Sequence, residues 1–391
     1  RDEDKQAELL EKVLPTRPEA QRKRYDDLKS ELDLLDQNKV APLPEALTIK
    51  ENGARAPQTY VLLRGNAHAR GESVEPAFPD VLGFDKPILK PVGEEAPSSG
   101  RRRVFAEWVA GDENPLTARV IVNRIWQHHF GRGLVRTPND FGFNGARPTH
   151  PQLLDWLARW FMDEGWSIKS LHRMIVLSAT YQMSSKDNPQ GLARDPNNNL
   201  FWRYDMRRLD AEAIRDGVMS VSGMLNRQQF GPSVYPDIPP AIRAGASRPE
   251  DAWGISPIEQ QHRRSIYVFV KRSLMEPLMS AFDLADTDSS CPERFTTVVP
   301  TQALTTLNGQ FFNQQASFFA QRLRDECDEN TVSQITRGLR LAFGRIPDDA
   351  EISRCVEWLR RWNKEEGISH DQALFYFCLI VPNLNEFIFV D

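Results

Sequence analysis

The 391-residue chain has no apolar run approaching the roughly 20 residues that cross a bilayer, so it encodes no transmembrane segment. It also has no excess of basic residues: 49 Lys and Arg stand against 54 Asp and Glu, a formal net charge of −5. That balance argues against a general nucleic-acid partner, which needs a basic surface to neutralise phosphates. Its four cysteines, Cys291, Cys327, Cys355 and Cys378, form no C-x-x-C pair, no C-x-x-C-H haem attachment and no zinc spacing. They read as buried thiols, or as one disulfide among the last three, and leave the compartment open. No nucleophile elbow surrounds Ser178 in LSATY.

The composition is that of a globular protein, 40% hydrophobic and 26% charged. The opening, RDEDKQAELLEK, lacks both an initiator methionine and a signal-peptide pattern, and is read as an internal start. Residues 1–58 form a charged arm and linker. Its leucines, Leu9, Leu10 and Leu14, then Leu28, Leu32 and Leu35, predict two short amphipathic helices broken by Pro15 and Pro18. TYVLLRG, residues 59–65, predicts a strand, and the Pro- and Gly-rich stretch that follows to residue 100 predicts a long wrapping loop.

Helical signals take over from residue 101. Asn114-Pro115 is a cap and first-turn pair, followed by Val120, Ile121, Ile125 and Phe130 at helical spacing and by Gly131 as terminator. THPQLLDWLARWFMDEG repeats that logic, with Thr149 or His150 as cap and Gly165 as terminator. Ser167 caps the next helix, and Asp210 and Gly223 bound another. A second irregular stretch covers 226–262 and leads into RRSIYVFVKRS, whose alternation predicts the strongest strand of the chain. About four helices are expected in 301–391. The fold class is therefore mainly α with a minor β component: a main domain over 59–300 and a C-terminal helical subdomain over 301–391.

Chemistry-bearing residues concentrate in NRIWQHHFGRGLVRTPNDFG, residues 123–142. Asn123 and Gln127, and Arg124 and His128, lie four apart and form a polar stripe on one helix. The following loop supplies Arg132 and Asp140, and His150 opens the next helix. A metal held by His128, His129, His150 and Asp140 or Asp155 is disfavoured, because adjacent histidines diverge by about 100° on a helix and no zincin pair is present. Guanidinium forks suit an anion instead, external or internal. The internal candidates are Asp140, Asp205, Asp210, Glu212 and Asp216.

The stretch from NPLTARVIVNRIWQHHFGRG to LSATYQMSS, with RRLDAEAIRDGVMSVSG, GPSV, RRSIYVFVKRS, SCPERFTTVVPTQALTTLN and NLNEFIFVD, resembles the C-terminal domain of unknown function of large planctomycete cytochrome-c-domain proteins. The resemblance implies an extracytoplasmic location, either periplasmic or secreted. It also implies a partner, the upstream haem-containing region or a neighbouring subunit, with haem there and no cofactor in this chain. Three readings stay open. One is a binding module whose Asn123, Arg124, Gln127, His128, Arg132, Asp140 and His150 meet an acidic or sulfated polysaccharide. The second is a carbohydrate-active enzyme using the same patch, with His128 or Asp140 as general acid or base. The third is a scaffold presenting a haem domain.

Overall fold

The structure, a computed structural model, describes residues 13–37, 47–51, 53–90, 93, 95–245 and 252–390. Helix makes up 51% of it and strand 5%, so the chain is mainly α with a minor β component. It divides into two compact units, Arg1–Ala106 and Glu107–Asp391.

In the first unit, α1 (Glu19–Gln37) is the second of the two expected helices, 19 residues long and starting after Pro18. Leu9 and Leu10 lie outside the described residues, and Leu14 sits in a 3-10 turn with Pro15. Leu28, Leu32 and Leu35 are exposed. β1 (Thr59–Leu62) pairs antiparallel with β2 (Arg70–Val74), with Thr59 opposite Val74 and Tyr60 opposite Ser73. The stretch after residue 65 is therefore not the unstructured loop predicted from its Pro and Gly content. Its first residues close a hairpin, with the Arg70 guanidinium 5.2 Å from the Tyr60 ring centroid. Helix α2 (Arg101–Val109) spans the boundary between units.

The second unit holds two apolar cores. Helix α3 (Thr117–Phe130) starts where Asn114 Oδ1 accepts the N–H groups of Leu116 and Thr117 at 3.0 and 3.1 Å, and ends at Gly131 with φ 79°. It buries Val122, Ile125, Trp126 and Phe130 with Leu154, Leu157 and Phe161 of α4 (Pro151–Asp163) and Leu171 and Ile175 of α5 (Ile168–Val176). The Ser167 hydroxyl caps α5 at Ser170 N, as its position predicted. Tyr204 and Phe201, beyond the short α6 (Pro189–Arg194), complete this core.

The larger core runs from Ala211 to Phe387 and so joins helices on both sides of residue 300. The helices of this part of the chain are α7 (Ala211–Ser222), the short α8 (Pro240–Ala244), α9 (Ile258–Gln261) and α10 (Pro277–Ala281), then α11 (Pro300–Asn308) and α12 (Gln310–Cys327), of which α7, α10 and α12 supply core residues. α13 (Thr331–Phe343), α14 (Asp349–Glu366), α15 (His370–Ile380) and α16 (Asn385–Ile388) complete it. Six helices thus fill the C-terminal part, more than the four expected. α12 lies at the centre, against α7, α13 and α15, with Phe312, Ala316, Phe319, Ala320 and Leu323 on its buried face.

Gly338 sets how closely α13 approaches its neighbours. A Cβ there would stand 2.8 Å from Phe377 Cε1 and 3.2 Å from Leu323 Cδ1. Gly338→Ala is therefore expected to lower the unfolding free energy by ~1–3 kcal/mol through overpacking, although alanine is the better helix former. A denaturant melt checks this, and an unchanged midpoint would mean that the helices relax apart freely.

Two further findings correct the sequence reading. RRSIYVFVKRS is no strand: Ser265–Tyr267 is a 3-10 turn, and the segment makes only isolated bridges such as Val234 to Val268. Its alternation fails too, for Val268 is buried while Ile266 and Val270 are 75% and 53% exposed. Asp216 Oδ1 accepts both the N–H and the hydroxyl of Ser265 at 2.7 Å, which holds the backbone in the turn and takes that N–H away from strand pairing. The second sheet is instead β3 (Arg207–Arg208) with β4 (Phe389–Val390), which ties RRLD to the C-terminal FIFV. All four cysteines are free thiols, so Cys327, Cys355 and Cys378 form no disulfide.

Candidate functional site

The polar stripe of α3 splits between two internal duties and one open face. Asn123 is fully buried, and its amide makes a reciprocal pair with the Val135 backbone, donating to the carbonyl at 3.0 Å and accepting from the N–H at 2.8 Å. Gln127 donates to the carbonyl of Pro292 at 3.2 Å. Asn139 similarly donates to the Ser290 hydroxyl at 3.3 Å. α3 and its loop thereby hold Ser290 and Pro292 in place.

Arg132 is consumed internally. Its guanidinium donates to the carbonyls of Asn197 and Asn198, pairs with Asp205 at 2.8 Å and lies 5.3 Å from the Phe201 ring centroid. Asp140 does not hold the arginines, contrary to expectation; it is exposed, and its Oδ1 accepts the Gly142 N–H at 2.8 Å in a local turn. Asp205 takes that role. His150 occupies the cap position of α4 without a cap bond, its Nδ1 3.0 Å from the Thr149 hydroxyl. The other expected internal carboxylates do meet arginines: Glu212 binds Arg294 in a two-point fork at 2.7 and 2.9 Å, Asp210 lies 3.8 Å from the same guanidinium, and Asp216 lies 3.7 Å from Arg264.

Arg124 and His128 are left on the open face. Arg124 is half-buried, with no hydrogen bond or ion pair among the described residues. His128 is exposed by area, yet packing around its ring lowers its pKa, and the charges of Arg124, Arg207 and Arg294 outweigh Asp210 in the same direction. It is therefore neutral at physiological pH. The adjacent His129 points elsewhere, with its Nε2 2.7 Å from His172 Nδ1. Among the described residues no group of three or more His, Cys, Asp or Glu is placed to hold a metal ion.

A second constellation was not anticipated. A cavity of about 530 Å³ opens between α7, α10, α11 and the start of α12, running inward from exposed Ile258 and Leu304 to buried Leu278 and Phe312. Arg215, His262 and Glu276 stand in its wall, all less than 9% exposed. Arg215, on α7, donates to the carbonyls of Arg263 and Gln261 at 3.1 and 2.6 Å and to the Ser265 hydroxyl at 3.2 Å. Its guanidinium carbon lies 5.5 Å from the Phe311 ring centroid. Burial lowers its pKa, but a guanidinium stays charged across the physiological range.

Glu276 caps α10, accepting the Met279 N–H at 2.8 Å. Burial raises its pKa, only partly offset by the Met279 N–H and the Arg215 charge. Burial, then the Arg215 charge, lowers that of His262. Both groups are thus pushed toward their neutral forms. Around them are apolar faces (Pro236, Leu278, Phe312) and polar groups able to donate and accept (Thr301, Asn308). A site of this size and mixture suits a small organic ligand or one segment of a larger one.

The sequence carried a faint signal for two of these residues. Arg215 sits one position after Ile214 and three before Val218 on an apolar helix face, and Glu276 is the sole charge in SLMEPLMSAF. A charge isolated on a core face has to be satisfied from elsewhere in the chain.

No curated protein and no solved structure matches the chain. Residues 101–359, more than half of it and inclusive of both α3 and the cavity, match the family PSD1, described as protein of unknown function (DUF1553). The chain belongs to the DUF1553 family.

Proposed function

We propose that this chain is an extracytoplasmic glycan-recognition module, part of a planctomycete-type multidomain haem protein, and that a sugar unit of its ligand occupies the cavity between α7, α10 and α11. The observation that carries this reading is the cavity itself: it combines apolar faces against which a sugar ring packs with amides, hydroxyls and a buried acid that match its oxygens. The open Arg124–His128 face is a secondary contact for an acidic or sulfated chain, since Arg124 has no internal carboxylate there. The location and the haem-bearing partner rest on the family resemblance of the sequence. A catalytic variant of the reading is favoured by one observation, the presence of Glu276 and His262, both shifted toward neutrality, in one cavity wall.

The test is titration calorimetry of the full chain with neutral, carboxylated and sulfated oligosaccharides at low and high salt, with reducing-end release assayed in parallel. Leu304, on the rim and 57% exposed, can be replaced without disturbing the core. Leu304→Trp is expected to fill the mouth and weaken binding by about tenfold or more, a loss of at least ~1.4 kcal/mol. Arg124→Ala should change only the salt-sensitive part. Absence of binding by every oligosaccharide, or binding indifferent to Leu304→Trp, would contradict the reading. Sugar release would convert the module into an enzyme.

A further inference from the structure

Resting on the cavity as the ligand site, the next question is what Glu276 does there. A buried carboxylate facing a cavity would ordinarily mark a site for a cation such as an amine or amino sugar. The surroundings of Glu276 argue otherwise. Among the described residues no cation lies within ion-pair distance of it, whereas Arg215, the buried cation of the same wall, stands 4.0 Å from Asp216. Asp216 is itself bonded by Arg264 and by the Ser265 N–H and hydroxyl. The Arg215 charge reaches Glu276, but the guanidinium spends its donors on the carbonyls of Arg263 and Gln261 and on the Ser265 hydroxyl, and forms no ion pair with Glu276. An ionised Glu276 would be a dry charge without a hydrogen-bonded counter-ion, which a protein relieves by keeping the proton.

We propose that Glu276 meets the ligand as an uncharged carboxylic acid that donates its proton in a hydrogen bond, so that the cavity takes a sugar through an acceptor oxygen, a hydroxyl, ring ether or carboxylate, and rejects amines. One Glu276 oxygen accepts the Met279 N–H, which leaves the other to carry the proton toward the ligand. The buried guanidinium of Arg215 adds positive potential that works against a cationic guest and in favour of an electron-rich one.

The ionisable groups lining the cavity are Arg215, Asp237, His262 and Glu276, with Asp216 behind Arg215 and Glu259 near His262. Burial and the Arg215 charge hold His262 below its ordinary pKa, while burial holds Glu276 above its own. Asp237 is exposed to solvent. A loss of binding on raising the pH therefore reports Glu276.

Glu276→Gln supplies the test, because glutamine keeps the shape, accepts from Met279 through its carbonyl and donates through its NH₂. The probes are a glucose disaccharide, its glucuronate counterpart and its glucosamine counterpart, titrated into the full chain across the neutral-to-alkaline range. The glucose or glucuronate probe is expected to bind wild type, weakening by about tenfold per pH unit once Glu276 ionises, while Glu276→Gln binds within about twofold at every pH and glucosamine binds neither protein. Preference between glucose and glucuronate identifies the acceptor as hydroxyl or carboxylate. Tightest binding by glucosamine, or loss of binding in Glu276→Gln with a ligand that Leu304→Trp also excludes, would overturn the proposal. If Leu304→Trp has no effect, the cavity reading fails instead, and a ligand-free measurement still decides the state of Glu276. A carboxyl whose folded pKa is raised costs nothing below its unfolded pKa and destabilises increasingly as pH rises toward its folded value. Glu276→Gln should accordingly raise the urea midpoint at neutral pH and leave it unchanged in acid. A lower midpoint at neutral pH would show that the ionised form is the stabilising one.

Discussion

Arg215→Ala is expected to lower the unfolding free energy by ~3–5 kcal/mol, the range seen when one member of a buried charge network is removed. Three acceptors lose their donor at once, the carbonyls of Arg263 and Gln261 and the Ser265 hydroxyl, the last of which opens the turn that interrupts RRSIYVFVKRS. Acceptors stranded away from water carry the full desolvation penalty. The contact with Phe311 is lost as well, leaving a void beside the cavity. Arg215→Lys should fall between wild type and alanine, because it keeps the charge but cannot span the three acceptors with a planar fork. Urea melts of the three proteins check this order. Equal midpoints for lysine and wild type would mean that charge alone matters.

Asn123→Ala is expected to cost ~2–4 kcal/mol. The amide satisfies both the N–H and the carbonyl of Val135, and all of these groups are buried. Room around it is short: a Cβ on Gly133 would come within 2.5 Å of Asn123 Nδ2, so water cannot readily replace the amide. Asn123→Asp should be as damaging, since a carboxylate still accepts from the N–H but repels the carbonyl. Thermal unfolding measures both, and a loss below about 0.5 kcal/mol would indicate that the 131–135 loop repairs itself.

The helices of the second unit were legible because their signals are local. Ser167, Gly131 and Gly223 bound elements where they were expected to, Asn114 bonds the start of α3 although that helix begins at Thr117 and not at Pro115, and the apolar faces of α3, α4 and α5 became one core. Of the sheet elements only β1, in TYVLLRG, was legible. Alternation in RRSIYVFVKRS states only what the segment tolerates, whereas its turn is fixed by Asp216, some fifty positions earlier in the chain. Likewise β2 was hidden among Pro and Gly because a hairpin needs its partner strand to be recognised.

The same distinction governs the site. The stripe on α3 was visible, but a helix surface does not reveal whether its amides face a ligand or the chain. Asn123 answers to Val135, 12 residues away, and Gln127 to Pro292, 165 away. The cavity draws its wall from four separated regions, around Arg215, Pro236, His262 to Glu276 and Thr301 to Gln314. Only an isolated charge in an apolar run, as at Glu276, foreshadowed it.

The central claim, that the ligand sits in this cavity, is tested most directly by hydrogen-exchange mass spectrometry of the full chain with and without the tightest-binding oligosaccharide of the panel. The account predicts protection in the peptides covering 258–262 and 301–314, absent in Leu304→Trp. Protection confined to 124–128 and 290–294, with the cavity peptides unchanged, would contradict it and move the ligand to the Arg124–His128 face.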